Sequence, residues 1–154
     1  MIEILSPTDL LRAKDAGNLV ADILQTLKSR STVGTNLLDI DRWARTMIVE
    51  AGAQSCYVDY EPSFGRGPFG HYICTGVNDA VLHGLPHDAT LADGDLVTLD
   101  LAVARDGIAA DSGVEVDPMA VLMRLGGDGT KIVRDDVVAA AVAAKAGGRK
   151  AAII

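Results

Sequence analysis

The chain has 154 residues, 49% of them apolar and 23% charged, with a formal net charge of −7, a profile that suits one globular domain with a buried core. Its one small basic cluster, Lys145, Arg149 and Lys150, argues against a DNA or RNA binder, which needs clustered cations to neutralise phosphates. The two cysteines lack a short Cys-x-x-Cys spacing, the start has no basic-then-apolar leader, and no apolar run reaches about 18 residues, so a disulfide scaffold, a zinc ribbon and a membrane span are not expected. The expected setting is reducing and cytoplasmic.

With only 4% aromatic residues, the core must be built from Val, Leu, Ile and Ala. Ser6-Pro7-Thr8-Asp9 has the features of a helix start: Ser6 can cap, Pro7 suits the first helical position, and Asp9 completes a capping box. Apolar residues then recur at Leu10, Ala13, Gly17, Val20, Leu24 and Leu27, which predicts a helix from about Pro7 to Lys28. A break around Gly34 precedes a second helix with Leu37, Ile40, Ala44, Ile48 and Ala51 on one face and Gly52 as its stop.

Cys56 to Tyr60 is expected as a short strand and residues 59–70, rich in Gly, Pro and aromatics, as a loop. His71 to Val77 reads as a strand and Asn78-Asp79 as a turn. Residues 95–116 carry the strongest local signal, with Asp106-Gly107 as a hairpin turn. Val97, Leu99, Leu101 and Val103 alternate onto one face of the first strand, and Ile108, Ala110, Ser112, Val114 and Val116 onto one face of the second. Residues 117–131 are irregular. A last helix is expected over roughly 132–146.

The opposite hairpin face carries Asp100 and Asp111. A two-residue loop at Asp106-Gly107 pairs Arg105 with Ile108, places Asp100 opposite Gly113 and Asp111 opposite Ala102, and leaves the carboxylates diagonal neighbours with backbones roughly 7 Å apart. A loop at Arg105-Asp106 would set them directly opposite, and an odd-length loop would separate them. Facing carboxylates repel unless a proton, a cation or a metal intervenes. Ala102, Ala109 and Gly113 leave room for one. Solvent exposure of this face is the simpler alternative on spacing alone.

Longer strings add to this. ICTGVNDAVLHGLP at 73–86 and LADGDLVTLDLAVARDGIAADS at 91–112 resemble the type I methionine aminopeptidases. His83-Gly84-Leu85-Pro86, Gly94-Asp95, Asp100 and Asp111 follow one another in that family's order and spacing. The likeness covers roughly residues 3–116, including TNLLDIDRWARTMIVEAGAQS. It implies an α+β fold: an antiparallel β-sheet with helices on one face, half of the pita-bread (creatinase/aminopeptidase) architecture, with residues 1–154 forming a single domain. It further implies Asp100 as a metal ligand, Asp111 as a ligand bridging two metals, and His83 as a catalytic residue at the substrate's amino end. Cys74, Tyr60, Phe64 and Phe69 would lie near the methionine side-chain pocket. The cofactors implied are two divalent ions (Co, Mn, Fe or Zn), and the activity is removal of initiator methionine, with a peptide or nascent-protein amino terminus as partner.

The family's remaining ligands, one histidine and two glutamates, belong to a second half, whereas no His or Glu follows Glu115 in this chain. Residues 117–131 fit the family poorly. The expectation is an incomplete chain that binds a single or weak metal and is inactive alone. Its missing half could come from another chain or from a homodimer that imitates the full fold. The alternative is a non-catalytic peptide-binding or assembly module.

Overall fold

A computed structural model describes residues 5–61, 63, 67–80 and 83–116. The elements run α1 (Pro7–Arg30), α2 (Leu37–Glu50), β1 (Gln54–Ser55), β2 (Cys74–Val77), β3 (Val97–Arg105) and β4 (Ile108–Val116). The irregular stretch at 117–131 and the helix expected at 132–146 lie outside the described residues.

Helix α1 starts where its cap residues place it. The Ser6 hydroxyl accepts from the Asp9 amide while the Asp9 carboxylate accepts from the Ser6 amide, a reciprocal capping box with Pro7 in the first turn. The buried face differs from the one expected. It consists of Ala16, Val20, Ile23, Leu24 and Leu27, whereas Leu10 is 57% exposed. The i, i+3/i+4 run from Ala16 onward defines the stripe that packs on the sheet, and the first turns lie outside it.

Helix α2 buries Leu37, Ile40, Ala44 and Ile48, and the Asn36 side chain caps it by accepting from the Leu38 amide. Gly52, at φ +65°, ends it as expected. The Gly52 amide donates to Val49 and the Ala53 amide to Ile48, at 3.0 and 3.1 Å, which is the paired closure of a Schellman motif.

The sheet is antiparallel throughout. β3 is its spine, pairing with β1 and β2 along one edge and with β4 along the other. Arg105 pairs with Ile108 across a turn in which Asp106 and Gly107 have φ +51° and +81°, the conformation of a two-residue primed turn that matches strand twist. Val97, Leu99, Leu101 and Val103 are fully buried and join α1 and α2 in one core with Ile73, Leu91 and Val116.

Two expected strands differ from the observed ones: none of residues 56–60 is strand, β1 lying just before them, and β2 covers only the end of residues 71–77. Residues 56–60 leave the sheet because the Ser55 hydroxyl accepts the Tyr57 and Val58 amides, and Tyr60 then turns back onto the Tyr57 carbonyl. This side-chain acceptor competes with the ladder. β2 begins only at Cys74, because Asp41 of α2 takes the Tyr72 amide at 2.7 Å and His71 Nδ1 at 3.1 Å.

Candidate metal and peptide site

The hairpin register puts Asp100 opposite Gly113 on one side and opposite Cys74 on the other, with Asp111 opposite Ala102. Because side chains alternate across a strand, all of these residues share the face turned away from the helices. They surround a hollow of about 270 Å³ lined by Cys74, Gly76, His83, Thr98, Asp100 and Asp111, together with Ser112 and Gly113. Asp100 is half-buried, Asp111 is exposed and Cys74 is 3% exposed.

The loop carrying His83 is held at both ends. Asn78, at φ +57°, accepts the Leu96 amide on its side-chain oxygen and donates to Asp95, tying the end of β2 to the start of β3. Thr90 bridges Asn36, and the amides of Gly34 and Leu37 donate to Leu91 and Ala89, fastening the far end of the loop to the start of α2. Between these anchors the Thr75 amide donates to the Gly84 carbonyl at 2.7 Å, and a Cβ on Gly84 would collide with the Thr75 carbonyl. Glycine is therefore required at that position. His83 itself has φ +53° and an exposed imidazole at the rim of the hollow.

Tyr57, which sequence reasoning did not single out, reaches both carboxylates. Its hydroxyl donates to Asp100 Oδ1 at 3.1 Å and lies 3.4 Å from Asp111 Oδ1. The Cys56 amide makes a further sheet bond to Ala102, so Tyr57 follows directly on the rung that carries Asp111. Its ring stands edge-on to Phe69, with centroids 5.8 Å apart, and Phe69 is edge-on to His71. No spacing rule marks this tyrosine, because its place depends on where β1 leaves the sheet. The expected Phe69 is thus beside the site through Tyr57, whereas Tyr60 is 59% exposed. Phe64 lies outside the described residues.

Burial raises the Asp100 pKa above the ordinary carboxylate value. The hydrogen bond from Tyr57 works against that shift, and the facing Asp111 adds to it. Burial, followed by the two carboxylates, pushes the Cys74 thiol up to about 12 and the Tyr57 phenol above its ordinary value. Cys56 is raised by burial and by Asp111. Near neutral pH the thiols and the phenol therefore keep their protons.

This donor set suits a divalent cation in part. Two hard carboxylates converge beside small residues, and a cation would relieve their mutual repulsion. Among the described residues no group of three or more His, Cys, Asp or Glu side chains surrounds one point, so the pair is a partial ligand set. Water would have to fill the other positions of an ion held there.

Residues 11–120 match the model of metallopeptidase family M24. The chain is 29% identical over 116 residues to the methionine aminopeptidase of Aquifex aeolicus, covering 75% of this chain and 45% of that protein. It is 34% identical over 114 residues to the methionine aminopeptidase of Helicobacter pylori, covering 73% of this chain and 42% of that one. The methionine aminopeptidase structure from Rickettsia prowazekii superposes with a TM-score of 0.70 at 27% identity, over 75% of this chain and 44% of the other. Aminopeptidase P from Escherichia coli shares the fold, with a TM-score of 0.59 at 18% identity. The chain spans under half the length of the curated relatives it matches, and its helix-backed antiparallel sheet corresponds to one half of the pita-bread architecture. From the matched span, the shared fold and the kinship with methionine aminopeptidases, the chain belongs to metallopeptidase family M24.

Proposed function

We propose that this chain provides two carboxylate ligands and one substrate wall of a methionine aminopeptidase site acting on peptide amino termini. The observation that carries this reading is the convergence of Asp100 and Asp111 on one hollow that His83 and Cys74 also line. Asp100 and Asp111 would hold a divalent ion. Such ions, when bound, supply Lewis-acid polarisation of the scissile carbonyl.

The chain's own groups supply recognition. The negative charge of the hollow attracts a protonated peptide amine. Cys74 offers soft apolar surface in the hollow to a methionine side chain, and a thiol held protonated behaves there as a small hydrophobe. His83, at the rim, is within the same hollow to hydrogen-bond the substrate's amino end. Two carboxylates alone bind a cation weakly, so a single weakly held ion and little turnover are expected of this chain by itself. Full activity would require ligands from a second half. No helix among the described residues is long and apolar enough to cross a membrane; the cytoplasmic setting we propose rests instead on the kinship with methionine aminopeptidases.

Titration calorimetry with Mn²⁺, combined with an assay for methionine release from Met-Ala-Ser, tests this reading. Weak Mn²⁺ binding that disappears in Asp100→Ala and Asp111→Ala is expected. Binding that survives both substitutions would place the ion elsewhere and remove the basis of the proposal. Peptide retained without cleavage, in a chain whose aspartates bind no ion, would favour the non-catalytic binding module.

A further inference from the structure

We infer that Tyr57 is a place-holder for the cation: its hydroxyl keeps Asp100 and Asp111 together in the metal-free chain and must let go before an ion can join them. The inference rests on the metal-site reading above and concerns which residue sets the affinity of that site.

A phenol has one proton to donate. The Tyr57 hydroxyl lies 3.1 Å from Asp100 Oδ1 and 3.4 Å from Asp111 Oδ1, so a single polar atom serves both carboxylates on the side where they converge. The lone pairs that would take an ion on that side are those the phenol occupies. Two like charges brought together by the hairpin register also need a nearby donor to remain convergent, and among the described residues Tyr57 is the side chain that hydrogen-bonds to both.

The ring is positioned for this role from outside the carboxylate pair. Phe69 meets it edge-on, His71 backs Phe69, and Asp41 of α2 holds both His71 Nδ1 and the Tyr72 amide. The tyrosine follows β1, a strand of two residues, and Ser55 turns the chain out of the sheet immediately before it. A side chain on such a turn can rotate away without breaking a ladder bond. A cation arriving at Asp100 and Asp111 thus displaces a hydrogen bond, and that loss is subtracted from its affinity.

The test is Mn²⁺ calorimetry on the full chain, on Tyr57→Phe and on Tyr57→Leu, with Asp100→Ala to locate the ion. Removing the hydroxyl is expected to tighten binding about tenfold in both tyrosine variants, the scale of one hydrogen bond to a charged acceptor. Unchanged affinity, with binding still lost in Asp100→Ala, would overturn the place-holder and leave the metal site standing. Weaker binding in both tyrosine variants would make Tyr57 a ligand and equally overturn it. Mn²⁺ binding that Asp100→Ala leaves intact would defeat the site and the place-holder together. A measurement independent of the variants' stability is the near-ultraviolet circular dichroism of the unaltered chain. Mn²⁺ should change the tyrosine signal as the ring moves, and an unchanged spectrum at saturation counts against displacement.

Discussion

The backbone of Gly84 lies against the carbonyl of Thr75 so closely that no side chain fits between them, and the Thr75 amide donates to the Gly84 carbonyl at 2.7 Å. This contact joins the loop carrying His83 to β2, the strand that presents Cys74 to Asp100. A histidine just before a glycine is thereby held at the rim of the hollow that Asp100 and Asp111, from a different part of the chain, also line.

Gly84→Ala should therefore do more damage than an ordinary loop substitution. The added methyl group meets backbone, which cannot yield as a flexible side chain would. A loss of about 2 kcal/mol or more is expected in urea denaturation. A change of less than about 0.5 kcal/mol, the range of neutral surface substitutions, would mean the loop can detach from β2 at little cost.

The pH dependence of stability has a defined sign at Asp100. Its pKa is raised in the folded chain by burial and by Asp111, so the folded state holds a proton that the unfolded chain has released. This contribution is fully present below the ordinary carboxylate pKa of 3.8 and is lost as pH rises through the raised value. Asp100→Asn removes the desolvated charge while keeping an acceptor for Tyr57. Its thermal midpoint should exceed that of the unaltered chain at neutral pH, and the gap should close in acid. A variant less stable at neutral pH would contradict the assigned repulsion.

The buried face of the helices and the central strand can be tested by contrast. Leu101 is fully buried in β3, whereas Leu10 on α1 is 57% exposed. Leu101→Ala should cost about 3 kcal/mol through lost transfer energy and the cavity left behind. Leu10→Ala should stay within about 0.5 kcal/mol of neutral. Equal effects would mean that the first turns of α1 pack on something.

The turn that sets the aspartate register is also accessible to measurement. Gly107 has φ +81° with open space around its Cα, so Gly107→Ala meets no steric contact, only an unfavourable backbone conformation. A cost of about 1 kcal/mol in denaturant unfolding is expected. An unaltered stability would show that the turn can change type without penalty, and the carboxylate register would then have to be fixed by the core face alone.

Much of this architecture was legible along the chain because it depends on neighbours. The Ser6 capping box, the Gly52 stop and the Asp106-Gly107 turn are interactions within a few residues. The alternation of Val97, Leu99, Leu101 and Val103 is a period that can be read directly. Given the turn, the pairing of Asp100 with Gly113 and of Asp111 with Ala102 followed by counting. Strand signals misplaced the boundaries where a side chain captured ladder amides: the distant Asp41 takes the Tyr72 amide and delays β2, and the neighbouring Ser55 hydroxyl takes the Tyr57 and Val58 amides.

By itself, the sequence determined the two helices, the hairpin and the face shared by Asp100 and Asp111, since backbone preference and a two-residue period need no knowledge of the rest of the chain. Tertiary structure alone decided that the Tyr57 hydroxyl reaches both carboxylates, that Phe69 backs its ring while Tyr60 faces solvent, and that His83 lines the hollow. These placements depend on where a strand leaves its sheet and on how closely two backbones approach, and both are set by packing between segments far apart in the chain.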